Sequence, residues 1–477
     1  MHPPVTHETH PISTTRPPAG IWLWLALILA TCVFISSDSF WIDEGNTAYK
    51  ASQANFSAWS KSMFAVTSSD AQMPGYMLYM WVWQKFSGNS EFALRLSNLP
   101  WLVLLVLAVR RFPWAVAVAL TSPFILNYLN ELRPYLMQIA GAALAVNGIS
   151  RLKDEAPSAW TTVLAGCLVM SASSLLGVVW SLGAMIHVLV ESPCRLKSRW
   201  FWLRNLAFLP AFAFLGFYYA WTLVQGQGAA LMGGRFLISL AAAGYELLGL
   251  AGFGPGKTEL RINPKALMDY VGVLAPAALA IGGLLLWSLA GWFRHAPKRQ
   301  VMAAICGVGT PLILIFSLVV LKDFRVLGRH LAPLSIPIIL LVAHAASRPR
   351  LPRRVAVLVI GLAIASSFSL RFSARHRKDD YRTAAAIAKN AIKNQRPVIW
   401  VADEWTAYFY GLDESRSGWQ PWRDNRSVPA LTGDETVLLT KPDIYDSKGG
   451  MQALLRERGF TPVRQLPAFT IFQRSGF

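Results

Sequence analysis

The chain has 477 residues, of which 54% are Ala, Val, Ile, Leu, Met, Phe, Trp, Tyr or Cys and only 15% are charged, well short of the usual quarter. That balance excludes an ordinary soluble enzyme. The formal charge of +19, from 45 Lys and Arg against 26 Asp and Glu, would raise the question of nucleic acid in a soluble protein, but here the basic residues gather in short segments between apolar blocks, as cytoplasmic loops do under the positive-inside rule.

Taken in chain order, a Pro- and His-rich tail (residues 1–19) precedes an apolar block from Gly20 to Ser37. The block is long for a signal peptide and has no A-x-A-like cleavage site after it, so it reads as an uncleaved signal anchor. With the tail cytoplasmic, residues 38–92 form a long outer segment. Its apolar run Pro74–Phe86 is too short and too aromatic for a span and reads as a helix lying on the membrane. Spans are expected near 94–109, 112–128, 134–150, 159–174, 176–191, 205–223, 270–293, 301–321, 331–346 and 355–371. This one assignment puts Arg110 and Arg111, Arg151 and Lys153, Arg195 to Arg204, Arg294 to Arg299 and Arg348 to Arg354 all inside. With the first block it gives about eleven transmembrane helices and an outer C-terminus.

A further outer segment, Val224–Asp269, combines an apolar stretch (Phe236–Leu250) with Lys257, Arg261 and Lys265 and suits the membrane surface. Its AGFGPGKT (Ala251–Thr258) mimics a phosphate loop, but no strand precedes it and Pro255 interrupts it, so it reads as a loop. Beyond residue 371 the apolar content breaks into short runs. Asp380–Asn394 has helical spacing, Pro397–Ala402, Glu435–Thr440 and Phe469–Gln473 read as strands, and Met451–Arg458 as a helix ended by Gly459. The expected organisation is a tail (1–19), a membrane-embedded part (20–371) and a small α/β domain outside the membrane (372–477). Cys32, Cys167, Cys194 and Cys306 show no CxxC spacing and suggest neither a disulfide framework nor a cysteine metal site.

The informative residues break the topology's rules. Asp38, Asp43 and Glu44 follow the first span; a solvated helix cap and a general base or hard-cation ligand both fit such a cluster. The second outer turn carries Glu131 and Arg133, and Lys322, Arg325, Arg329 and His330 precede Leu331. Basic residues on the outer side suggest an anion to be held, a lipid phosphate being the natural candidate, or simple contact with headgroups. His187 and His344 fall within spans and read as core residues.

These residues also form a pattern. Phe40-Trp41-Ile42-Asp43-Glu44 resembles the aspartate–glutamate motif of the GT-C glycosyltransferases, in the protein O-mannosyltransferase and aminoarabinose transferase branch. Gln72-Met73-Pro74-Gly75-Tyr76 is similar to the family's His-Pro-Pro-Leu-Tyr segment, with Gln72 and Met73 standing where relatives carry His or Lys. Phe86 to Leu96, Glu131-Leu132-Arg133-Pro134-Tyr135 and Arg329-His330-Leu331-Ala332-Pro333 resemble three later elements. The resemblance implies a polytopic GT-C-like catalytic domain and an inverting transfer of a sugar from a polyprenyl-phosphate donor to a glycolipid, polysaccharide or protein acceptor at the periplasmic face of the inner membrane. It implies Asp43 as the acidic base, with Glu44 and Glu131 as further acidic candidates, and Gln72, Tyr76 and Tyr135 near donor or acceptor. Arg133, Lys322, Arg325, Arg329 and His330 are the expected phosphate ligands. A divalent metal is compatible with the sequence and not required by it. A transporter or flippase of lipid-linked or anionic substrates is the alternative; it should carry charged or broken helices at mid-membrane, whereas here the charges concentrate in outer turns.

Overall fold

The computed structural model describes residues 21–65, 68–152, 158–192, 205–227, 236–322, 324–413, 417–424, 426–427, 429 and 431–474. The expected tail, Lys153, Cys194 and the basic segment Arg195 to Arg204 lie outside the described residues.

The first helix, α1 (Ile21–Phe34), is apolar on all sides, as a helix needs to be when lipid replaces water around it. The chain then turns through Ser36–Ser39 into α2 (Ile42–Ala51), α3 (Phe56–Phe64) and α4 (Pro74–Ser87). Asn55 caps α3 by accepting from the Ala58 N–H, and Pro74 starts α4, where a missing N–H costs nothing. The α4 face bearing Tyr76, Met77 and Met80 is buried in a cluster with Phe40, Trp59 and Leu132, so the expected surface helix seals the α2 face of the molecule. Next, α5 (Glu91–Arg95) runs through a short 3-10 turn into α6 (Leu99–Val109).

One expected span is broken. Instead of a continuous helix over 112–128, two short helices form, α7 (Ala115–Thr121) and α8 (Pro123–Leu129). Pro123 has no N–H to continue the ladder and keeps Ser122 out of the helical region, at φ −64°, ψ 120°. The helices α9 (Tyr135–Leu152), α10 (Ala159–Ser173) and α11 (Leu175–Glu191) follow as a tightly packed group.

Among the described residues, six segments are long and apolar enough to cross a membrane: Glu91–Val109, Leu206–Val224, Lys265–His295, Lys298–Lys322, Gly328–Ser347 and Leu351–Phe372. Trp22–Phe34, Ala159–Ser173, Leu175–Glu191 and Phe236–Leu247 are shorter apolar helices. Their inward faces make one core running from Leu27 through Ile125 and Ile139 to Ile339 and Val359. Large apolar side chains such as Phe217, Leu279 and Val320 point outward and are three-quarters exposed, a belt that needs lipid around it. The chain is a multi-pass membrane protein.

The C-terminal sheet has the order β2-β1-β3-β5-β4. β1 (Val398–Val401) is parallel to β2 (Trp419–Pro421) and β3 (Thr436–Thr440), while β5 (Phe469–Arg474) runs antiparallel to β3 and to β4 (Phe460–Leu466). Both central strands are wholly buried. The helix Tyr381–Lys393 covers one face through Tyr381, Ala384 and Ala388, and Gly450–Glu457 covers the other through Met451 and Leu455. β4 contains Pro462 and is mostly exposed, as suits an edge strand.

The carboxyl ends of parallel strands are where open α/β sheets commonly bind ligands. Here the start of α2 fills that place. Ile42 packs into both cores of the sheet region. Thr406, on the helix Glu404–Phe409 that follows β1, donates to the Ile42 carbonyl (3.3 Å), and Asn46 donates to Asp403 (3.1 Å). Gly45 makes this approach possible, because a Cβ there would lie 2.3 Å from the Thr406 side chain.

Candidate active site

The site is built around the first turn of α2. Asp43 and Glu44 both sit in that turn, where the helix dipole favours carboxylates, but consecutive helical residues point about 100° apart. Glu44 points inward and is wholly buried. Arg95 grips it in a fork, Nε to Oε1 at 3.0 Å and Nη2 to Oε2 at 2.9 Å. Lys378 Nζ reaches both oxygens at 3.0 and 2.9 Å, and the Leu132 N–H donates to Oε1 at 2.9 Å. Burial alone would push the Glu44 carboxyl up; Arg95 and Lys378 reverse that and hold it at about 2. Burial, aided by Arg95, takes Lys378 down to about 8 against the pull of Glu44. Arg95 also donates to the carbonyls of Ser36 (3.0 Å), Asp38 (2.7 Å) and Ser39 (3.3 Å), tying down the whole link from α1 to α2. Glu44, a catalytic candidate from the sequence, is thus engaged from every side as the anchor of α2.

Asp43 points the other way. Its side chain is 31% exposed and its Oδ2 lies 3.4 Å from Nη1 of Arg329. Arg329 belongs to a 3-10 turn, Gly328–Leu334, that leads into the helix Ser335–Ser347. Arg133 approaches from the α8–α9 connection, its Nη1 donating to the Asp43 carbonyl (3.5 Å), to Thr47 (3.2 Å) and to Asp70 (2.8 Å). Asp70 is shared with Lys50 at 2.6 Å, and although burial would raise its carboxyl, Lys50 and Arg133 hold it at about 2. The Nε atoms of Arg133 and Arg329 are both buried and have no hydrogen-bond partner among the described residues.

The remaining expected residues divide into two groups. Tyr76 is wholly buried, its hydroxyl has no partner among the described residues, and it lies within electrostatic reach of Arg133, Glu44 and Glu131. Tyr135 stacks edge-on against Tyr128 at 4.8 Å. Glu131 is buried, with its carboxylate near enough to act on Lys378. Tyr135 and Glu131 lie, with Asp43, within electrostatic reach of Arg329. Gln72, by contrast, donates to the Gln227 carbonyl (2.9 Å) and fastens its loop to the end of the helix Leu209–Val224. Lys322 and Arg325 are exposed and form no ion pair among the described residues. His330 accepts the Leu327 N–H on Nδ1 (3.1 Å) and packs on Phe324 at 4.9 Å, so its ring caps the turn that carries Arg329.

Lys50, Asp70, Arg95, Lys378 and Glu246 are additions that sequence reasoning did not single out. Two further cations, Lys257 and Lys441, lie over the Trp41 ring at 5.4 and 5.7 Å, and Lys441 pairs with Asp379. Among the described residues no group of three or more His, Cys, Asp or Glu assembles as a metal shell. An apolar cleft is lined by Pro123, Leu247, Ile281, Ser335, Ile339 and Val359, and Ser335 directly follows the turn that carries Arg329. An open carboxylate against a guanidinium, with more guanidinium N–H groups buried and unspent, can take a proton and hold an anion at once.

No family model and no curated protein matches the chain. Among solved structures, ArnT from Cupriavidus metallidurans in the apo state aligns with 94% of this chain and 97% of its own, at a TM-score of 0.51 and 14% identity. ArnT bound to undecaprenyl phosphate aligns at 0.47 and 14%, over 96% and 98% of the two chains. The arabinofuranosyltransferase AftD from Mycobacteria aligns at 0.43 and 15%, over 96% of this chain and 40% of that one. The chain therefore shares the fold of ArnT in the apo state. Its particular likeness, over nearly the whole length of both chains, is to ArnT.

Proposed function

We propose that the chain is an inverting glycosyltransferase that moves a sugar from a polyprenyl-phosphate donor to a cell-envelope acceptor at the periplasmic face of the inner membrane. The observation that carries this reading is the pairing of half-open Asp43 with Arg329, 3.4 Å apart, the latter in a turn that runs on into Ser335 of the apolar cleft. ArnT, whose fold the chain shares, has been solved with undecaprenyl phosphate bound, and the motifs around Asp43 resemble the same branch.

In this reading the polyprenyl chain lies along the cleft and its phosphate meets Arg329. An acceptor hydroxyl attacks the anomeric carbon, its proton passes to Asp43, and the bond from that carbon to the phosphate oxygen breaks. The electron pair leaves with the lipid phosphate, whose charge Arg329 and the free Nε of Arg133 stabilise. Tyr76, Tyr135 and Glu131 bound the space for sugar and acceptor. Lys322 and Arg325, exposed on the approach to Arg329, meet the headgroup first, with His330 holding the turn in shape. The C-terminal sheet acts as a clamp on α2.

The test is chemical and cellular. Cells deleted for the chain should lose one sugar from an envelope glycolipid, polysaccharide or glycoprotein by mass spectrometry; wild-type protein should restore it and Asp43→Asn should not. Restoration by Asp43→Asn removes Asp43 as the base. Cysteines placed at Ser57 and Asn394 should both label from outside the cell, and labelling at only one would break the proposed orientation.

A further inference from the structure

Glu246 is an acidic side chain that the scheme above does not use. It ends the helix Phe236–Leu247, next to Leu247 of the apolar cleft. Its Oε2 is buried; the Gly328 N–H lies close enough to pull on the carboxyl but makes no well-formed hydrogen bond to it. The carboxyl lies against Gly328: a Cβ at that position would be 2.6 Å from the Glu246 Cβ and 2.7 Å from Oε2. Only a glycine leaves room for it beside the backbone that carries Arg329. The charged and titratable groups around it are Lys257, Arg329 and Glu131, with Tyr128 and Tyr245 nearby.

A buried polar oxygen so poorly matched is costly unless a ligand supplies a better partner. Glu246 sits between Leu247 of the cleft and the Gly328 backbone that leads to Arg329, which in the proposed reading is where lipid tail and phosphate join. An ionised carboxylate there would repel the phosphate; a protonated carboxyl would hydrogen-bond to it, doing with a neutral group what Arg329 does with a charge. We propose, resting on the donor reading above, that Glu246 is a further donor-binding residue whose carboxyl hydrogen is donated to a phosphate oxygen of the polyprenyl phosphate. Burial agrees with this role, since it pushes the Glu246 carboxyl above the ordinary range against the opposing pull of Lys257 and Arg329.

The experiment uses the full chain purified into lipid nanodiscs, with undecaprenyl phosphate as probe and binding read as Kd. Glu246→Ala should weaken binding by about tenfold or more, while Glu246→Gln, whose amide N–H can replace the carboxyl donor, should stay within about threefold. Binding by Glu246→Ala within twofold of wild type overturns the proposal, and so does a Glu246→Gln variant as weak as Glu246→Ala. On the wild-type chain, dicyclohexylcarbodiimide, which modifies protonated buried carboxyls, should label Glu246 and saturating undecaprenyl phosphate should suppress the adduct. An adduct that is absent or indifferent to the lipid counts against the proposal even if the variants fold poorly. Failure of the wild-type chain to bind undecaprenyl phosphate sinks the donor reading itself. Loss of binding in Arg329→Ala with no change in Glu246→Ala sinks only the role of Glu246.

Discussion

Behind α2 and in front of it, the protein treats the same functional group in opposite ways. On the inner side the Glu44 carboxylate receives five hydrogen bonds, from Arg95, Lys378 and the Leu132 N–H. On the outer side Asp43 has one long contact to Arg329, next to guanidinium nitrogens with nothing to bind. A charge matched so fully stays ionised and immobile, whereas one left under-matched is free to meet a ligand. In the proposed reading the helix needs both, since a base is held in place by groups that are not themselves reacting.

The largest effects should come from removing either half of that contrast. Asp43→Asn should lower transfer by about 10²–10⁴-fold with an unchanged melting temperature; a parallel fall in rate and melting temperature would show that Asp43 is structural. Glu44→Ala should do the reverse, costing about 3–5 kcal/mol by leaving Arg95 and Lys378 buried without their partner, visible as loss of the monodisperse peak in size-exclusion chromatography. If Glu44→Ala melts like wild type and only turnover falls, the division of labour drawn here is wrong.

Acid titration sharpens the comparison without mutation. Glu44 and Asp70 both have carboxyls held at about 2 in the folded chain. A depressed carboxyl contributes stability above its unfolded value, and that contribution is lost as pH falls through the folded one. Melting temperature should therefore drop between about pH 4.5 and 2, the Glu44 share being on the order of 3 kcal/mol, and Glu44→Gln should flatten the profile. A wild-type curve level across that window would contradict the network. The smallest expected effect is that of Tyr410→Phe. It removes a hydroxyl that accepts the Phe40 N–H (2.8 Å) and donates to Glu91 (3.1 Å), and should cost about 1 kcal/mol by thermal melting, with turnover retained.

Much of this was legible in the sequence for identifiable reasons. Membrane-length apolar blocks declare themselves because lipid tolerates little else, and the gathering of Asp43, Arg133 and Arg329 in turns between such blocks can be read from where the charges fall. What stayed hidden is pairing at a distance. Arg95 lies 51 residues from Glu44 and Lys378 lies 334 away, and no local pattern connects them. The break between α7 and α8 did have a signal, Pro123 within an apolar run, which length alone outweighed. β4 and β2 were missed because one is an exposed edge containing Pro462 and the other has only three residues, so neither shows the alternation by which strands are recognised.

The reach of Lys378 back to Glu44 also orders events in time. A ribosome adding about 5–20 residues per second makes Glu44 roughly 20–70 s before it makes Lys378, and Asp403 and Thr406 later still. Until then the segment that presents Asp43 has its helix but lacks its fastening. A nascent chain stopped after its last long apolar helix should be embedded in the bilayer yet inert, so that catalytic competence arrives only near the end of synthesis.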